Sequence, residues 1–457
     1  MSVPGNDIAR PRSRAAFVTA PTQSSVSSTR DAPDAFLPAP VHRSRFTRVR
    51  FDYERHALPL LIIGVVALAV IPEMITHLNV KHSPDLPPLE ADAAAEKFPL
   101  AHLASLALSA ALLLITFALA VFRRLTPHRN VTGLLLLLLA FNVPYVLSPA
   151  PPAPADLPKI LLANLFIAAL WQTGAAIAEL KWLPITITAV GVYSLLGGLV
   201  IPDFMMYSQN SIKAIIPGWE LAGPFGHGNA LGMYCAVAFA LVPLVPRLRW
   251  QLFCGAVLFV TILASASRTS VIAAGIVLMW WAVCRFRSVV SIRLLGTVLA
   301  SVTATAMLVF PFLAWKPDAW SGRASVWAAS IDVWQHSPIV GLGVNWFLTE
   351  ARWWGNIAVW AYVGTGHNLV VDTLVKSGIV GLLVLAPVLI GAIIVARRLP
   401  GAQQIAIFGF LIAFFVTAST EALWALLPNL QLYSVSGLIF SVVVLSQRGV
   451  PESEGTP

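Results

Sequence analysis

"GTGHNLVVDTLVKSGIVGLLVLAPVLIGAIIVARR", residues 364–398, reads as a membrane helix with an unsuitable beginning. From residue 369 to 396 it is apolar enough to cross a hydrocarbon core, which takes roughly 20 residues at the helical rise. It leaves on Arg397 and Arg398, as a helix reaching a cytoplasmic surface does. Its entrance instead carries His367, Asn368, Asp372 and Lys376. Such groups at a bilayer helix are costly unless a polar partner or a water-filled cavity receives them, so this end is where function is sought. Asp372 and Lys376 are four residues apart on one helical face, which predicts an ion pair with Asn368 above it. Thr365 is the expected cap, which puts His367 at the positive end of the helix. A histidine kept neutral there can act as a base near neutral pH, and the alternative is a purely structural histidine at a helix mouth.

The same apolar pattern recurs along the chain. Hydrophobic residues make up 57% and charged residues only 11%, with mean hydropathy +0.77. A soluble domain carries about 25% charged residues. The expected fold is therefore all-α and polytopic, with about 12 transmembrane helices near 57–76, 100–121, 132–148, 158–175, 182–201, 229–246, 250–266, 268–285, 292–313, 369–395, 402–419 and 428–446. Residues 57–446 form one membrane domain, with 314–368 as a large helical cap on the outer face. Residues 1–56 read as a disordered basic cytoplasmic tail, and 447–457 as a second cytoplasmic tail. The alternation of arginine and aromatics in "HRSRFTRVRFDYERH", residues 42–56, suits anionic lipid headgroups. The net charge of +9 thus points to membrane lipids and membrane topology, and no nucleic-acid partner is expected. Cys235, Cys254 and Cys284 lie inside apolar runs, which implies neither a disulfide framework nor a zinc site.

Arginine bias orients the chain. With the N-terminal tail inside, the inner loops hold Arg123, Arg124 and Arg129, then Lys181, Arg247 and Arg249, then Arg285, Arg287 and Arg293, then Arg397 and Arg398, and finally Arg448. The arginines left on the outer side are Arg268, Arg323 and Arg352. Arg268 occupies the short turn "ASASRTS", either as a snorkelling helix-end residue or as a partner for phosphate. In the 314–368 loop, Trp320, Trp327 and Trp334 are spaced by seven and share a helical face with Ile331. A helix near 322–335 follows, capped by Ser321 and closed off by Pro338. Its tryptophans fit an interfacial aromatic belt, or a wall for sugar rings or a lipid tail. Arg323 falls in the first turn, where the helix dipole disfavours a cation unless an anion is bound. Arg352, in "TEARWWG", has Glu350 and tryptophans beside it and suits an ion pair or cation–π contact.

Four ordered elements within 220–445 resemble the O-antigen ligase and polymerase superfamily of bacterial envelope enzymes. They are "GPFGHGNALG" at 223–232, "SRTS" at 267–270, "SGRASVWAASIDVWQHSPIVGLG" at 321–343 and "GHNLVVDTLVKSGIVGL" at 366–382, the last with glycines 378 and 381. Gly228 stands where that family often has proline. The resemblance implies a multi-pass enzyme of the bacterial cytoplasmic membrane with its active site facing outside. It would transfer a glycan from an undecaprenyl-pyrophosphate-type carrier to an acceptor hydroxyl, inverting the anomeric centre. It implies no metal and no other cofactor, and as partners a lipid-linked glycan donor and a glycan or lipid acceptor. Arg268 and Arg323 would hold the donor pyrophosphate and His367 would activate the acceptor, with Asn229, Asn368, Trp327 and Arg352 as further substrate contacts. A polymerase of lipid-linked repeats uses the same parts. Two rivals stay open: a lipid-linked glycan transporter, and a metal-dependent transferase built on Glu90 and Asp92.

Overall fold

The apolar runs become helices, and the longest of them is broken. The computed structural model describes residues 53–81, 98–122, 130–149, 152, 154–208, 213–286, 291–349, 364–424 and 433–446. Both terminal tails apart from residues 53–56, together with Glu90, Asp92, Glu350 and Arg352, lie outside the described residues, as do Arg123, Arg124, Arg129, Arg287 and Arg448. The helices are α1 (Tyr53–His77), α2 (Pro99–Phe122), α3 (Val131–Val146), α4 (Leu157–Thr173), α5 (Trp182–Val200), α6 (Gly228–Ala240) and α7 (Leu248–Ala264). They continue with α8 (Arg268–Cys284), α9 (Ile292–Val309), α10 (Arg323–Trp334), α11 (Leu369–Ala396), α12 (Gly401–Ala418) and α13 (Leu438–Leu445), the last entered through a π-turn at Tyr433–Gly437. Two short antiparallel strands, β1 (Met206–Ser208) and β2 (Glu220–Leu221), tie the ends of the 202–228 connection together.

Among the described residues, six helices are long and apolar enough to cross a membrane: His56–His77, Pro99–Val121, Ile177–Val200, Ile292–Phe312, Leu369–Ala396 and Gly401–Ala418. Shorter apolar helices occupy the other expected runs, at Val131–Val146, Leu157–Thr173, Gly228–Ala240, Leu248–Ala264, Arg268–Cys284 and Tyr433–Leu445. Their outward faces are apolar as well. Leu103, Leu114 and Phe117 of α2 and Leu383 and Ile390 of α11 are exposed, as lipid-facing side chains are and as a water-soluble surface avoids.

α12 is apolar all round, and a helix with no polar stripe belongs inside. It packs against α6, α8, α9 and α11, and Phe410 and Phe414 meet Phe440 of α13 at ring separations of 5.0 and 4.8 Å. Its entrance is fixed by Gln404, whose amide donates to the free carbonyls of Ala396 and Arg397 at the end of α11 (3.2 and 3.1 Å). Its far end delivers residues 419–421 to the level of the polar entrance of α11.

α11 is interrupted at Gly378, which has φ 62° and ψ −160°. The 338–343 segment inserts at the break. Leu342 and Gly343 donate to the carbonyls of Val375 and Lys376 (2.7 and 3.2 Å), while Ile379 and Val380 donate to those of Pro338 and Ile339 (2.9 and 3.1 Å). The backbone groups freed by the break are thereby paired inside the protein, the condition for irregular backbone at membrane depth. The fit leaves no room for a side chain: a Cβ on Gly378 would lie 2.2 Å from the Ile339 carbonyl oxygen, and one on Gly341 2.5 Å from the amide of Ser377. Replacing Gly378 by alanine therefore strains the backbone and forces the insertion apart, a loss of at least about 1–3 kcal/mol. Gly391→Ala is the control, since a Cβ there meets nothing within 4 Å. Thermal unfolding of the detergent-solubilised protein is expected to show a large drop for Gly378→Ala and little change for Gly391→Ala; equal midpoints would contradict the insertion.

Candidate active site

The polar entrance of α11 is received by protein. Asn368, not Thr365, is the cap: its side-chain oxygen accepts from the amides of Val370 (2.8 Å) and Val371 (3.2 Å). Its amide nitrogen donates to the carbonyls of Met307 (3.1 Å) and Ser419 (3.0 Å), clamping α11 to the ends of α9 and α12. The Asp372–Lys376 pair forms as the spacing predicts, at 2.8 Å, with Asp372 fully buried and the ammonium over the Phe347 ring. The other oxygen of Asp372 accepts from the amide of Gly366 (3.0 Å), where a Cβ would lie 2.6 Å from the amide of Asp372. Gly366 is thus demanded by contact, and the tight turn throws His367 into a left-handed conformation, φ 46°.

His367 is held at three points. Its amide donates to the Thr365 hydroxyl (3.3 Å), its carbonyl accepts from the indole of Trp327 (3.2 Å), and its Nδ1 lies 3.4 Å from Oε2 of Glu421. Trp327 is completely buried among Phe310 and its neighbours, so its indole positions the histidine backbone. Asn368 is likewise fully buried with its hydrogen-bonding groups engaged. The hydrogen bonds described for both side chains are made within the protein.

Arg323 opens α10 as expected, but Ser321 does not cap it. Trp320, Ser321 and Gly322 are three successive left-handed residues, and Gly322 stands at the cap with no side-chain bond. Left-handed backbone is unfavourable for the two non-glycine residues and persists where surrounding structure imposes it, often at functional sites. The turn also removes Trp320 from the helical face shared by Trp327 and Trp334; Trp320 packs instead against Phe310 and Trp315. Its result is to bring the Arg323 guanidinium inward. One terminal nitrogen pairs with Oε1 of Glu421, the other donates to the Trp320 carbonyl (3.3 Å), and Nε is buried with no hydrogen-bond partner among the described residues.

Glu421 joins these parts, and nothing in the sequence reading singled it out. Besides Arg323 and His367 it accepts from the side-chain amide of Asn229 at 3.1 Å. Burial alone would raise its carboxyl. The Arg323 guanidinium first, and then the hydrogen bond to His367, overcome that and hold it below the ordinary glutamate range.

Asn229 lies in the first turn of α6, and the glycines around it press that turn onto the "ASASRTS" loop. A Cβ on Gly228 would lie 2.3 Å from the Ser265 carbonyl oxygen, and one on Gly232 2.5 Å from the Ser267 side chain, so a proline at 228 would not fit this approach. That loop starts α8 with Arg268, which is exposed. The next residue, Thr269, shares a 2.8 Å hydroxyl bond with Thr420, the residue before Glu421. Arg323, His367 and Asn229 therefore meet on one carboxylate, with Arg268 beginning the helix that is pinned one residue away. The N-terminal ends of α6, α8, α10 and α11 converge here, and each contributes partial positive charge. Of the candidate residues, Arg352 lies outside the described residues.

Residues 253–386 match the family model described as O-Antigen ligase. No curated protein matches the chain. The matched segment contains Arg268, Arg323, Trp327, His367 and Asn368 and stops short of Asn229 and Glu421. The protein is thus a membrane protein by its apolar helices, and its segment 253–386 is similar to the O-antigen ligase family.

Proposed function

We propose that the protein is a ligase-type glycosyltransferase that moves a glycan from a lipid-linked pyrophosphate donor to an acceptor hydroxyl, at the outer face of a twelve-span membrane domain. The observation that carries this reading is the Glu421 carboxylate, which holds a guanidinium and an imidazole side by side. An ionised carboxylate only accepts hydrogen bonds, so the Nδ1 of neutral His367 that faces it carries the proton and Nε2 keeps a lone pair. That lone pair takes the proton of the acceptor hydroxyl as its oxygen attacks the anomeric carbon. The bond from that carbon to the pyrophosphate breaks from the opposite side, and the leaving group departs with the electron pair. Arg323, with its unpartnered Nε, and Arg268 stabilise the charge released there, which fixed cations do well in a water-poor site. Transfer to a separate acceptor makes the enzyme a ligase; transfer to a second lipid-linked repeat would make it a polymerase, and a ladder of product lengths from donor alone separates the two. A transporter would relocate the lipid-linked glycan in liposomes without a new glycosidic bond.

The roles separate in kinetics. Arg268→Ala and Arg323→Ala are expected to weaken donor affinity, with lysine restoring only part because it keeps the charge and loses the planar two-point geometry. His367→Ala is expected to leave donor affinity nearly intact and to lower the single-turnover rate by roughly 10²–10⁴-fold. Loss of donor binding with an unchanged rate from bound donor would make His367 a phosphate ligand.

The orientation is tested by cysteine labelling at the exposed Ser321, against a low background because Cys235, Cys254 and Cys284 are buried. A membrane-impermeant maleimide is expected to modify Ser321→Cys in intact cells; labelling only after lysis would reverse the topology.

Glu421→Gln is expected to loosen the site and cost about 1.5–3 kcal/mol, the range for hydrogen bonds to a charged group. The folded carboxyl titrates below its ordinary value of 4.5, so its contribution is complete above that value and is lost as pH falls through the lowered one. The difference in thermal stability between wild type and Glu421→Gln should therefore stay level from about pH 7 to about pH 5 and shrink only below the ordinary value. A difference that vanished between about pH 7 and pH 6 would point to a histidine instead.

A further inference from the structure

A second histidine stands beside the Glu421 cluster. His227 caps α6: its Nδ1 accepts from the amide of Asn229 at 3.0 Å. A ring nitrogen that accepts has no proton, so in the neutral ring the proton is on Nε2, a hydrogen-bond donor. Burial holds this imidazole below its usual range, as do the charges of Lys213 and Arg323, against the pull of Glu220 and Glu421. Its ring centroid lies 4.4 Å from that of Tyr207 on β1, with the two planes tilted by 42°.

The donor faces a carboxylate without reaching it. Nε2 and Oε1 of Glu220, on β2, are 3.8 Å apart, beyond a hydrogen bond. A hydroxyl can sit about 2.8 Å from both, accepting from Nε2–H and donating to the carboxylate. The phosphates of a pyrophosphate diester do this poorly: they carry no proton near neutral pH, and Glu220 repels them. Access is from the His227 side, which is 35% exposed, with the Glu220 side chain at 4% beneath it. The pair is next to the reacting groups, because Asn229, whose amide locks the His227 ring, also binds Glu421 through its side chain.

We propose that His227 and Glu220, with Tyr207 behind them, form a subsite that binds one hydroxyl of a carbohydrate next to the reacting centre. This deepens the glycosyl-transfer reading and rests on it for which substrate brings the sugar. The test uses the full-length protein in nanodiscs and, as probe, a lipid-free oligosaccharide released from the producing cell's own surface polysaccharide. His227→Asn keeps a cap for the Asn229 amide, since asparagine is a favoured cap, and removes the Nε2 donor. Glu220→Gln removes the charge of the acceptor. Each is expected to weaken oligosaccharide binding by roughly ten- to 150-fold, the effect of losing one hydrogen bond to a charged group, with unfolding temperature unchanged. The double variant should be no weaker than the weaker single one, because both residues serve the same hydroxyl. Wild-type affinity in His227→Asn, or no binding by the wild-type protein, overturns the subsite. In the transfer assay, a KM raised for the acceptor alone assigns the hydroxyl to the acceptor, and one raised for the lipid-linked donor alone assigns it to the donor. A fall in single-turnover rate at saturation with both KM values unchanged overturns the subsite by making His227 part of the chemistry. Oligosaccharide binding that depends on both residues, in a protein forming no glycosidic bond, would keep the subsite and remove the transferase reading.

Discussion

One carboxylate organises this end of the molecule. Glu421 follows α12, the most enclosed of the six candidate spans, by three residues and accepts from Arg323, His367 and Asn229, which come from three other parts of the chain. Each of those side chains would be hard to hold alone. An arginine opening α10 works against the helix dipole, and the imidazole at the mouth of α11 sits in a strained left-handed turn beside the same carboxylate. Two charges about 4 Å apart attract by roughly 4 kcal/mol at the effective dielectric of a partly enclosed site. The carboxylate therefore decides where both groups stand, and α12 decides where the carboxylate stands.

The strain around the cluster follows from this gathering. His367 and the Trp320–Gly322 turn are left-handed, and α11 is cut at Gly378 to admit the 338–343 segment. None of these features benefits the helix that carries it. All of them fix the two approaches to Glu421: Gly366 and Asp372 set the turn before His367, the Trp327 indole takes its carbonyl, and the insertion at Gly378 packs the cap against the upper half of α11. Asn368 then fastens that half to α9 and α12 with its whole amide. The polar residues that looked expensive at a membrane surface are the joints of this assembly.

The sequence made legible what depends on spacing along one helix. The apolar runs, the Asp372–Lys376 pair and the helix opening at Arg323 all follow from local pattern, whereas the break of α11 at Gly378 does not. What stayed hidden depends on meeting across elements. Asn368 and Trp327 suggested ligand contacts because polar and aromatic groups near an active centre can serve either ligand or scaffold, and only burial distinguishes the two. Glu421 was written as one acid in "TASTEALW", past the end of a featureless apolar run. The available signal was its place: an acidic residue just beyond an apolar run, on the side where His367 and the anomalous arginines had been assigned.

A carboxylate at the centre of a site proposed for pyrophosphate seems to work against its purpose, and the geometry answers the objection. Glu421 engages one terminal nitrogen of Arg323 and leaves Nε without a hydrogen-bond partner among the described residues, so the guanidinium keeps a donor. The amide ends of four helices add partial positive charge around it. Removing the carboxylate would leave Arg323, a partly buried cation, without the ionic partner it has among the described residues, which is strongly unfavourable. The same oxygen pair orients His367 with its protonated nitrogen inward. In the proposed mechanism, preorganisation of the cation and presentation of the base thus come from one group, and some repulsion of the substrate is the physical consequence of holding both ready before it arrives.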